Sequence, residues 1–251
     1  MGRPDLGPLA ATAHEVAAEW GVELGPSFVL ARYSFVAPAG RDAVLKVTPV
    51  EDDEADEEAD ALARWAGDGA ARLLRRDVPR RAMLLERARP GTDLAGVEED
   101  EALAIAVDVG RRLWRPASEP FRWIGDHVPR WLDNAARRGA PLAQLARSLY
   151  DGLDVGRSTL VHGDFHHHNL LADGEHYLAI DPKPMLGEPE YDVYSFLVNP
   201  LSSRLRRDVT ERRLSAFAAA GLDEGRMRTW AVIRGAYLSG DEHVEVLRAL
   251  L

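Results

Sequence analysis

Cysteine is absent from this chain of 251 residues. Without thiols the protein has no disulfide framework, no thiolate zinc site and no cysteine nucleophile. Long apolar runs are absent as well, because no stretch approaches the ~20 apolar residues that span a bilayer. The first 30 residues lack a basic start followed by an uninterrupted apolar run. These absences predict a cytoplasmic protein that does not act at a membrane.

Basic residues are in deficit. The chain has 31 Lys and Arg residues against 41 Asp and Glu residues, which gives a formal net charge of −10 at pH 7. This charge opposes broad electrostatic attraction to nucleic acids and to anionic membranes. A small cationic substrate is tolerated better. We therefore expect no nucleic-acid partner, and the sequence leaves the oligomeric state open.

The first part of the chain is predicted to form a mostly antiparallel sheet with accompanying helices. The predicted elements are a helix at Leu9–Trp20, a hairpin of strands Phe28–Val36 and Ala43–Val47 joined by a turn at Pro38–Asp42, a helix at Glu51–Ala66, and strands at Ala71–Leu74 and Ala82–Glu86. A domain boundary is predicted near Arg89-Pro90-Gly91, which divides the chain into residues 1–89 and 90–251.

The second part is predicted to be mostly helical. Helices are expected at Glu98–Leu113, Trp131–Arg138 and Leu142–Tyr150, and from about Tyr191 onward. A strand at Ser158–Val161, a polar loop at His162–Asn169 and a hairpin of Leu170-Leu171 with Tyr177–Ile180 interrupt these helices. The two parts together predict an α+β fold.

The most informative stretch covers residues 160–171 and reads LVHGDFHHHNLL. A phosphoryl-transfer site needs a base near the acceptor hydroxyl, oxygen ligands for Mg²⁺ and a cation on the phosphates. Asp164 fits the base, and Asn169 and Asp181, the latter at a strand end, fit the magnesium ligands. Lys46, in a predicted strand, can supply the cation.

At this point the sequence resembles a known family. His162-Gly163-Asp164 with Asn169, followed by Ile180-Asp181, is similar to the aminoglycoside phosphotransferases, which are relatives of the protein kinases. The resemblance covers most of positions 43 to 200 and is closest to the streptomycin 6-kinase and hydroxyurea phosphotransferase branch. The other segments that carry it are Leu45-Lys46, Glu58-Ala59, Gly69–Leu74, Leu84–Arg87 with Pro90-Gly91, Ala179–Lys183 and Gly187–Asp192.

The resemblance implies a protein-kinase-like two-lobe fold. Residues 1–89 are then a β-rich nucleotide-binding lobe, and residues 90–251 are a mostly helical catalytic and acceptor-binding lobe. It further implies that Lys46 contacts the α and β phosphates, Glu58 pairs with Lys46, and Glu86 starts the hinge that holds adenine. Asp192 is expected to support the catalytic loop.

The function predicted from these residues is transfer of the γ-phosphate of ATP or GTP, with Mg²⁺, to a hydroxyl of a small acceptor. By the resemblance, the acceptor is aminoglycoside-like, with streptomycin as the first candidate. One alternative is a nucleotide-binding module without turnover, because Leu24–Ala37 contains only Gly25 where a glycine-rich phosphate loop is expected.

The four histidines of the loop suggest a second alternative, a metal-dependent hydrolase, because imidazole suits transition metals. Side chains at consecutive loop positions diverge, however, and no further ligand set completes a tetrahedral shell. We expect His162 and His166 to brace the loop through hydrogen bonds. His167 and His168 are expected either to line the acceptor cleft or to face solvent.

Overall fold

The first helix, α1, spans Gly7–Trp20 and ends at Gly21, which adopts a left-handed conformation with φ 69°. This agrees with the predicted helix and its glycine stop.

The structure is a computed structural model that describes residues 6–29, 33–200, 206–240 and 243–251. Packing divides the chain into two units, Met1–Thr92 with Leu171–Ile180 and Asp93–Leu170 with Asp181–Leu251.

A four-stranded antiparallel sheet forms the centre of the first unit. Its strands are β1 (Phe35–Ala39), β2 (Ala43–Val47), β3 (Leu73–Asp77) and β4 (Ala82–Glu86), in the order β1-β2-β4-β3. One face of the sheet packs on α1, where Val16, Leu45 and Val47 are almost completely buried. Because side chains alternate along a strand, Lys46 projects from the opposite face of β2.

The predicted hairpin is present, but its first strand is misplaced. The N–H of Gly25 donates to the carbonyl of Pro38 at 2.8 Å, and the N–H of Phe28 donates to that of Val36 at 2.8 Å. Residues 24–28 therefore run antiparallel to β1, and the predicted strand Phe28–Val36 is not one continuous strand, because Phe28 and Val36 pair with each other. Its residues 30–32 lie outside the described part. β-Branched and aromatic residues indicate extended backbone, but they do not mark where it turns.

The remaining elements of the first unit follow the prediction with shifted ends. The predicted helix Glu51–Ala66 is a 3-10 turn at Asp53–Ala55 followed by α2 (Glu58–Trp65). Strand β3 starts at Leu73 and not at Ala71. A further sheet, in the order β5-β8-β9, consists of β5 (Pro90–Asp93), β8 (Leu170–Asp173) and β9 (His176–Ala179). The sequence did not predict β5, whose first residue is a proline.

The second unit is mostly helical, as expected. Its helices among the described residues are α3 (Glu99–Leu113), α4 (Ile124–Arg137), α5 (Ala143–Asp151), α6 (Pro189–Leu197), α7 (Arg207–Ala219), α8 (Glu224–Leu238) and α9 (Val244–Arg248). Helix α8 is the central one, since it packs against α4, α5, α6, α7 and α9. Its Trp230 and Ile233 are fully buried.

Helix α4 starts at Ile124, well before the predicted start at Trp131, and runs through Pro129. Proline has no N–H, so the carbonyl four residues earlier, that of Gly125, loses its helical donor. The Tyr150 hydroxyl donates to this carbonyl at 3.2 Å instead. A tertiary hydrogen bond thus permits a proline that local reasoning treats as a helix breaker.

A small antiparallel sheet, in the order β10-β7-β6, completes the second unit. It consists of β6 (Arg115–Pro116), β7 (Thr159–Val161) and β10 (Met185–Gly187). The polar loop that contains Asp164 follows β7, and the segment that contains Asp181 leads into β10. The sheet therefore fixes the start of the Asp164 loop and the end of the Asp181 segment. In the part of the chain that the structure describes, no helix is long and apolar enough to cross a membrane.

Candidate active site

Lys46 and Glu58 form an ion pair inside the first unit. The Lys46 ammonium lies 2.7 Å from Oε1 and 2.7 Å from Oε2 of Glu58. Lys46 is 5% exposed and Glu58 is fully buried. The resemblance predicted this pair, and the structure explains its burial: Lys46 lies on the sheet face opposite α1, and Glu58 begins α2.

Glu86 is the last residue of β4. Its carboxylate Oε1 accepts the backbone N–H of Arg72 at 2.8 Å, and its own N–H donates to the carbonyl of Arg72 at 2.9 Å. The side chain is therefore committed to the neighbouring backbone. The predicted role of Glu86 in nucleotide binding would therefore require the backbone at the end of β4, and not the Glu86 carboxylate, to contact the nucleotide.

The loop of Asp164 depends on a glycine before it and a buried phenylalanine after it. Gly163 has φ 82°, and a Cβ placed there would lie 1.9 Å from the carbonyl oxygen of Lys183. No other residue fits without moving the backbone. Phe165 is fully buried and packs against Trp114 and Phe196 at ring distances of 5.8 and 6.2 Å. Asp164 is thus held on the partly exposed side of the loop.

Asp192, in α6, holds the start of this loop. Its Oδ2 accepts the N–H of His162 at 2.7 Å, and its Oδ1 accepts the N–H of Gly163 at 2.7 Å. The indole N–H of Trp114 donates to the same Oδ2 at 2.9 Å. Asp192 is completely buried, and charged acceptors make strong bonds there. One carboxylate therefore fixes two consecutive peptide groups directly before Asp164.

Arg234, in α8, holds the next peptide group of the loop, between Gly163 and Asp164. Its guanidinium donates to the carbonyls of Gly163 and Tyr191 at 2.8 Å each and lies 4.0 Å from the ring centre of Tyr191. Burial lowers the pKa of Arg234, but nearby tyrosines and Asp192 outweigh this and raise the pKa above its ordinary value. The arginine therefore remains a cation beside the loop.

The Asp164 carboxylate has two donors on one oxygen. His166 Nε2 lies 3.4 Å from Oδ2, and Asn169 Nδ2 lies 3.3 Å from the same oxygen. Burial raises the pKa of Asp164, but the hydrogen bond from His166 and the charges of His166, His162 and Arg234 outweigh it and lower the pKa below its ordinary value. Asp164 is consequently a carboxylate at neutral pH, as a proton acceptor must be.

Asn169 and Asp181 are the predicted magnesium ligands. The Asn169 amide donates to the Asp164 carbonyl at 2.9 Å, and no described residue bonds to its Oδ1. Asp181 has φ 55°, a strained conformation for a residue other than glycine that is common at functional sites. Two residues on, the N–H of Lys183 donates to the carbonyl of His162 at 2.7 Å, so this segment lies against the catalytic loop.

These donors fit the cation that was predicted. An amide oxygen without a bond from the described residues and a carboxylate are the hard oxygen ligands that Mg²⁺ prefers. The nitrogen of Asn169 is committed to Asp164, which directs its oxygen away from that carboxylate.

The loop histidines do not converge. His167 is 2% exposed and stacks on Phe196 with ring centres 3.9 Å apart, so the expectation that it lines a cleft or faces solvent is wrong. Burial, Arg213 and the neighbouring histidines lower the pKa of His167 to about 3. His168 is exposed and pairs with Asp93 at 2.7 Å. Among the described residues, no three His, Asp or Glu side chains form a group suited to a metal ion.

Two glutamates at the start of α6, Glu188 and Glu190, have partners within the helical unit. Glu188 binds the guanidinium of Arg226 at 2.6 Å and the indole N–H of Trp230. Glu190 accepts the N–H of Asp223 at 3.0 Å. Carboxylates with such partners stabilise the helical unit, and they are poor candidates for binding an amine.

Three residues that contact the loop or its holding carboxylate were not identified from the sequence in that role: Trp114, Arg234, and Arg213, whose Nη2 lies 3.5 Å from Nε2 of His167. They lie far from the loop along the chain, so no spacing connects them to it. Arg234 did carry a signal, because it interrupts the apolar run Trp230–Ile233 in a helix, and a buried charge requires a partner. Arg213 stands beside Arg212 and carried no such signal.

Comparison with known proteins agrees with this geometry. The sequence model of the family described as aminoglycoside/hydroxyurea antibiotic resistance kinase matches residues 27–245, and the chain belongs to that family. A hydroxyurea phosphotransferase of Kitasatospora aureofaciens is 32% identical, over 93% of this chain and 73% of the relative. A streptomycin 6-kinase of Streptomyces glaucescens is 31% identical, over 91% of this chain and 81% of the relative. A streptomycin 3''-kinase of Klebsiella pneumoniae is 34% identical, over 79% and 80%.

Solved structures confirm the α+β, protein-kinase-like fold. A choline/ethanolamine kinase family protein of Mesorhizobium loti aligns with a TM-score of 0.66 at 15% identity, covering 95% of this chain and 84% of the other. The ADP-bound aminoglycoside phosphotransferase APH(2'')-Ib aligns with a TM-score of 0.60 at 13% identity, covering 96% of each chain. The chain is a small-molecule kinase that phosphorylates a hydroxyl. Neither the silent-module alternative nor the hydrolase alternative is favoured.

Proposed function

We propose that this kinase transfers the γ-phosphate of ATP or GTP to a hydroxyl of an aminoglycoside-like acceptor, with streptomycin as the first candidate. The acceptor class is supported by the relatives, since two of them are named for streptomycin and a third for hydroxyurea. The net charge of −10 is compatible with a cationic acceptor. Residues 1–89 would serve the nucleotide, and residues 90–251 would serve catalysis and the acceptor.

The proposed chemistry uses few side chains. Asp164 orients the acceptor hydroxyl and takes its proton while the acceptor oxygen forms a bond to the γ-phosphorus. The bond from that phosphorus to the β–γ bridging oxygen breaks, and the nucleoside diphosphate leaves with the electron pair. The products are the phosphorylated acceptor, ADP or GDP, and a protonated Asp164 that returns its proton to water. Positioning and charge neutralisation supply most of the rate.

Lys46 is proposed to hold the α and β phosphates, and Glu58 to fix the direction of its ammonium. Glu86 is proposed to start the adenine-binding main chain. Asn169 and Asp181 would hold Mg²⁺, which when bound neutralises charge on the phosphates. The oxygen of Asn169 is suited to this because its amide nitrogen is occupied by Asp164.

The observation that carries the proposal is the way Asp192 holds the catalytic loop. Its two oxygens accept the N–H groups of His162 and Gly163 at 2.7 Å each, from a fully buried position. Burying a carboxylate costs free energy, and the hydrogen bonds from His162, Gly163 and Trp114 offset that cost while they hold the loop. The residue placed by this arrangement is Asp164, whose carboxylate is ionised and partly exposed.

A coupled ADP-release screen tests the proposal. The enzyme is mixed with MgATP, and separately with MgGTP, and offered streptomycin, other aminoglycosides, hydroxyurea and common metabolites. We expect acceptor-dependent release of diphosphate, largest with an aminoglycoside, and an acceptor mass increased by one phosphate. Release that is equal with and without every acceptor would contradict the proposal, and the Asp164→Asn protein serves as the blank.

A further inference from the structure

The two ring nitrogens of His166 have different environments. Nδ1 lies 3.2 Å from the backbone nitrogen of His168, and Nε2 lies 3.4 Å from Oδ2 of Asp164. A backbone N–H can only donate, so Nδ1 must accept and carries no proton in this contact. The proton of the neutral ring then sits on Nε2, the nitrogen that lies 3.4 Å from Oδ2 of Asp164. The loop backbone thereby selects the tautomer.

Asn169 reinforces this arrangement. Its Nδ2 donates to the carbonyl of Asp164 at 2.9 Å and to Oδ2 at 3.3 Å, and it lies 3.4 Å from His166 Nε2. Two side-chain nitrogens thus lie within 3.4 Å of one oxygen, Oδ2 of Asp164. Among the described residues, no hydrogen bond reaches the other oxygen, Oδ1. The two oxygens of the same carboxylate are therefore not equivalent.

We propose that His166 is a positioning residue that, with Asn169, holds Oδ2 of Asp164 so that Oδ1 receives the proton of the acceptor hydroxyl. This role rests on the proposed function, because it concerns the same proton transfer. His166 itself touches no reacting atom and acts through Asp164. The distances of 3.3 and 3.4 Å to Oδ2 are long for hydrogen bonds, and catalytic contacts often tighten when the substrate is bound.

Two substitutions separate the two nitrogens of His166. In His166→Gln, the side-chain amide nitrogen stands near the position of Nε2, so the donor to Asp164 is kept and the acceptor for His168 is lost. In His166→Asn, the amide oxygen stands near Nδ1, so the acceptor for His168 is kept and the donor to Asp164 is lost. A residue that only braces the loop needs the Nδ1 contact, whereas a positioning residue needs the Nε2 contact.

The measurement is kcat and KM for both substrates, with melting temperature recorded for each protein. We expect His166→Asn to lower kcat by about tenfold or more, and His166→Gln by less than about fivefold, because a bond to a charged acceptor contributes that much. KM should change little in either variant. His14→Asn, at an exposed position on α1, should match the parental kinetics.

A second measurement repeats His166→Asn in an Asp164→Asn background. If His166 acts through Asp164, it adds little to the loss already present, whereas an independent structural role adds its full effect. Equal turnover of the single variants His166→Asn and His166→Gln, or higher turnover of His166→Asn, would overturn the role. If His166→Asn does not melt cooperatively, folded His166→Gln is the deciding variant. A loss of about tenfold or more in the kcat of His166→Gln would then overturn the role.

Turnover of the parental protein distinguishes a failure of the proposed function from a failure of the role of His166. Absence of acceptor-dependent turnover in the parental enzyme would overturn the proposed function and this role with it. Parental turnover with the wrong order of the two variants would overturn the role of His166 alone.

Discussion

The ammonium of Lys46 is equidistant from the two carboxylate oxygens of Glu58, at 2.7 Å from each. Both side chains are almost completely buried. Such a pair is expensive to desolvate and is weak evidence for stability on its own. The pair holds the Lys46 ammonium in one direction, as the proposed contact with the nucleotide phosphates requires.

The first prediction separates the structural and functional roles of this pair. Lys46→Met leaves the Glu58 charge buried without its partner, so the free energy of unfolding should fall by about 3–5 kcal/mol. Adding Glu58→Gln removes that charge and should restore much of the stability, but turnover should stay low in both proteins. Urea unfolding and ADP release measure the two effects.

Glu51→Gln is the matched control, because Glu51 is exposed on the segment before the same helix. It should leave both quantities near their parental values. Parental turnover in the folded double variant would remove Lys46 from the nucleotide site.

The second prediction concerns Asp192. In Asp192→Asn one carboxylate oxygen becomes an NH₂ group, which cannot accept the N–H of His162 or Gly163. One buried N–H is then left unsatisfied, at a cost of about 1–3 kcal/mol in the free energy of unfolding. The displaced loop should also lower turnover by more than tenfold (on the order of 10¹–10²). Asp154→Asn, at an exposed position, is the control, and equal kinetics in the two variants would count against the loop-holding role.

The third prediction compares two adjacent arginines of α7. Arg213 is fully buried, binds Glu99 at 2.6 and 3.0 Å, and donates to the carbonyl of Phe196 at 2.6 Å. Arg212 pairs with Asp100 at 2.5 Å while both side chains are half exposed. Arg213→Met should cost about 3–5 kcal/mol in the free energy of unfolding, and Arg212→Met less than about 1 kcal/mol.

Chemical denaturation of the two variants at the same pH measures this difference. Similar losses at the two positions would show that the Arg213 hydrogen bonds to the end of α6 contribute little.

The fourth prediction is a pH dependence of stability at the contact of α7 with α8. The hydrogen bond from Arg228 lowers the pKa of Glu211 below its ordinary 4.5. A carboxylate with a lowered folded-state pKa stabilises the protein above its unfolded pKa, and that contribution is lost as the pH falls through the folded pKa. Glu211→Gln should therefore be slightly less stable than the parental protein at pH 7, by under about 1 kcal/mol since the pair is partly exposed.

The difference in unfolding free energy should close as the pH falls below 4.5 and through the lowered pKa of Glu211, because the parental carboxylate then becomes protonated. Urea unfolding at several pH values measures it. A difference that stays constant from pH 7 to pH 3 would show that the Glu211 carboxylate is not responsible.

Local sequence signals predicted the elements around the site well. The strand Ser158–Val161, the polar loop and the hairpin after it could be recognised because an extended apolar segment, polar loop residues and the turn pair Asp173-Gly174 all lie within a short stretch. The Lys46–Glu58 pair was found only through family resemblance. A lysine in a strand and one glutamate among several carry no local signal of pairing.

What escaped prediction depends on tertiary contacts. Helix α4 runs through Pro129 because Tyr150 supplies the missing donor, and His167 is buried because Phe196 offers a ring to stack on. The chain reversal before β1 is set by pairing with residues 24–28. In each case a partner distant in sequence outweighs the local preference, which no single-sequence pattern reports.

The roles of Asp164, Asn169, Asp181, Lys46, Glu58 and Glu86 in catalysis and binding stay predictions. The structure supports them by geometry: an ionised carboxylate on a braced loop, an amide oxygen without a described partner, and a buried lysine held by a buried glutamate. A chemical measurement is needed to separate a group that takes part in transfer from one that only holds the loop.

The most direct test is Asp164→Asn, because a neutral amide keeps the shape of the side chain and removes the charge that accepts the hydroxyl proton. Calorimetric affinity for the magnesium nucleotide and ADP release with the best acceptor are measured on one preparation, with Asp154→Asn as control and melting temperature as the check on folding. We predict that turnover falls by at least about 10²-fold while nucleotide affinity changes far less. Turnover near the parental rate in a folded Asp164→Asn protein would contradict the account.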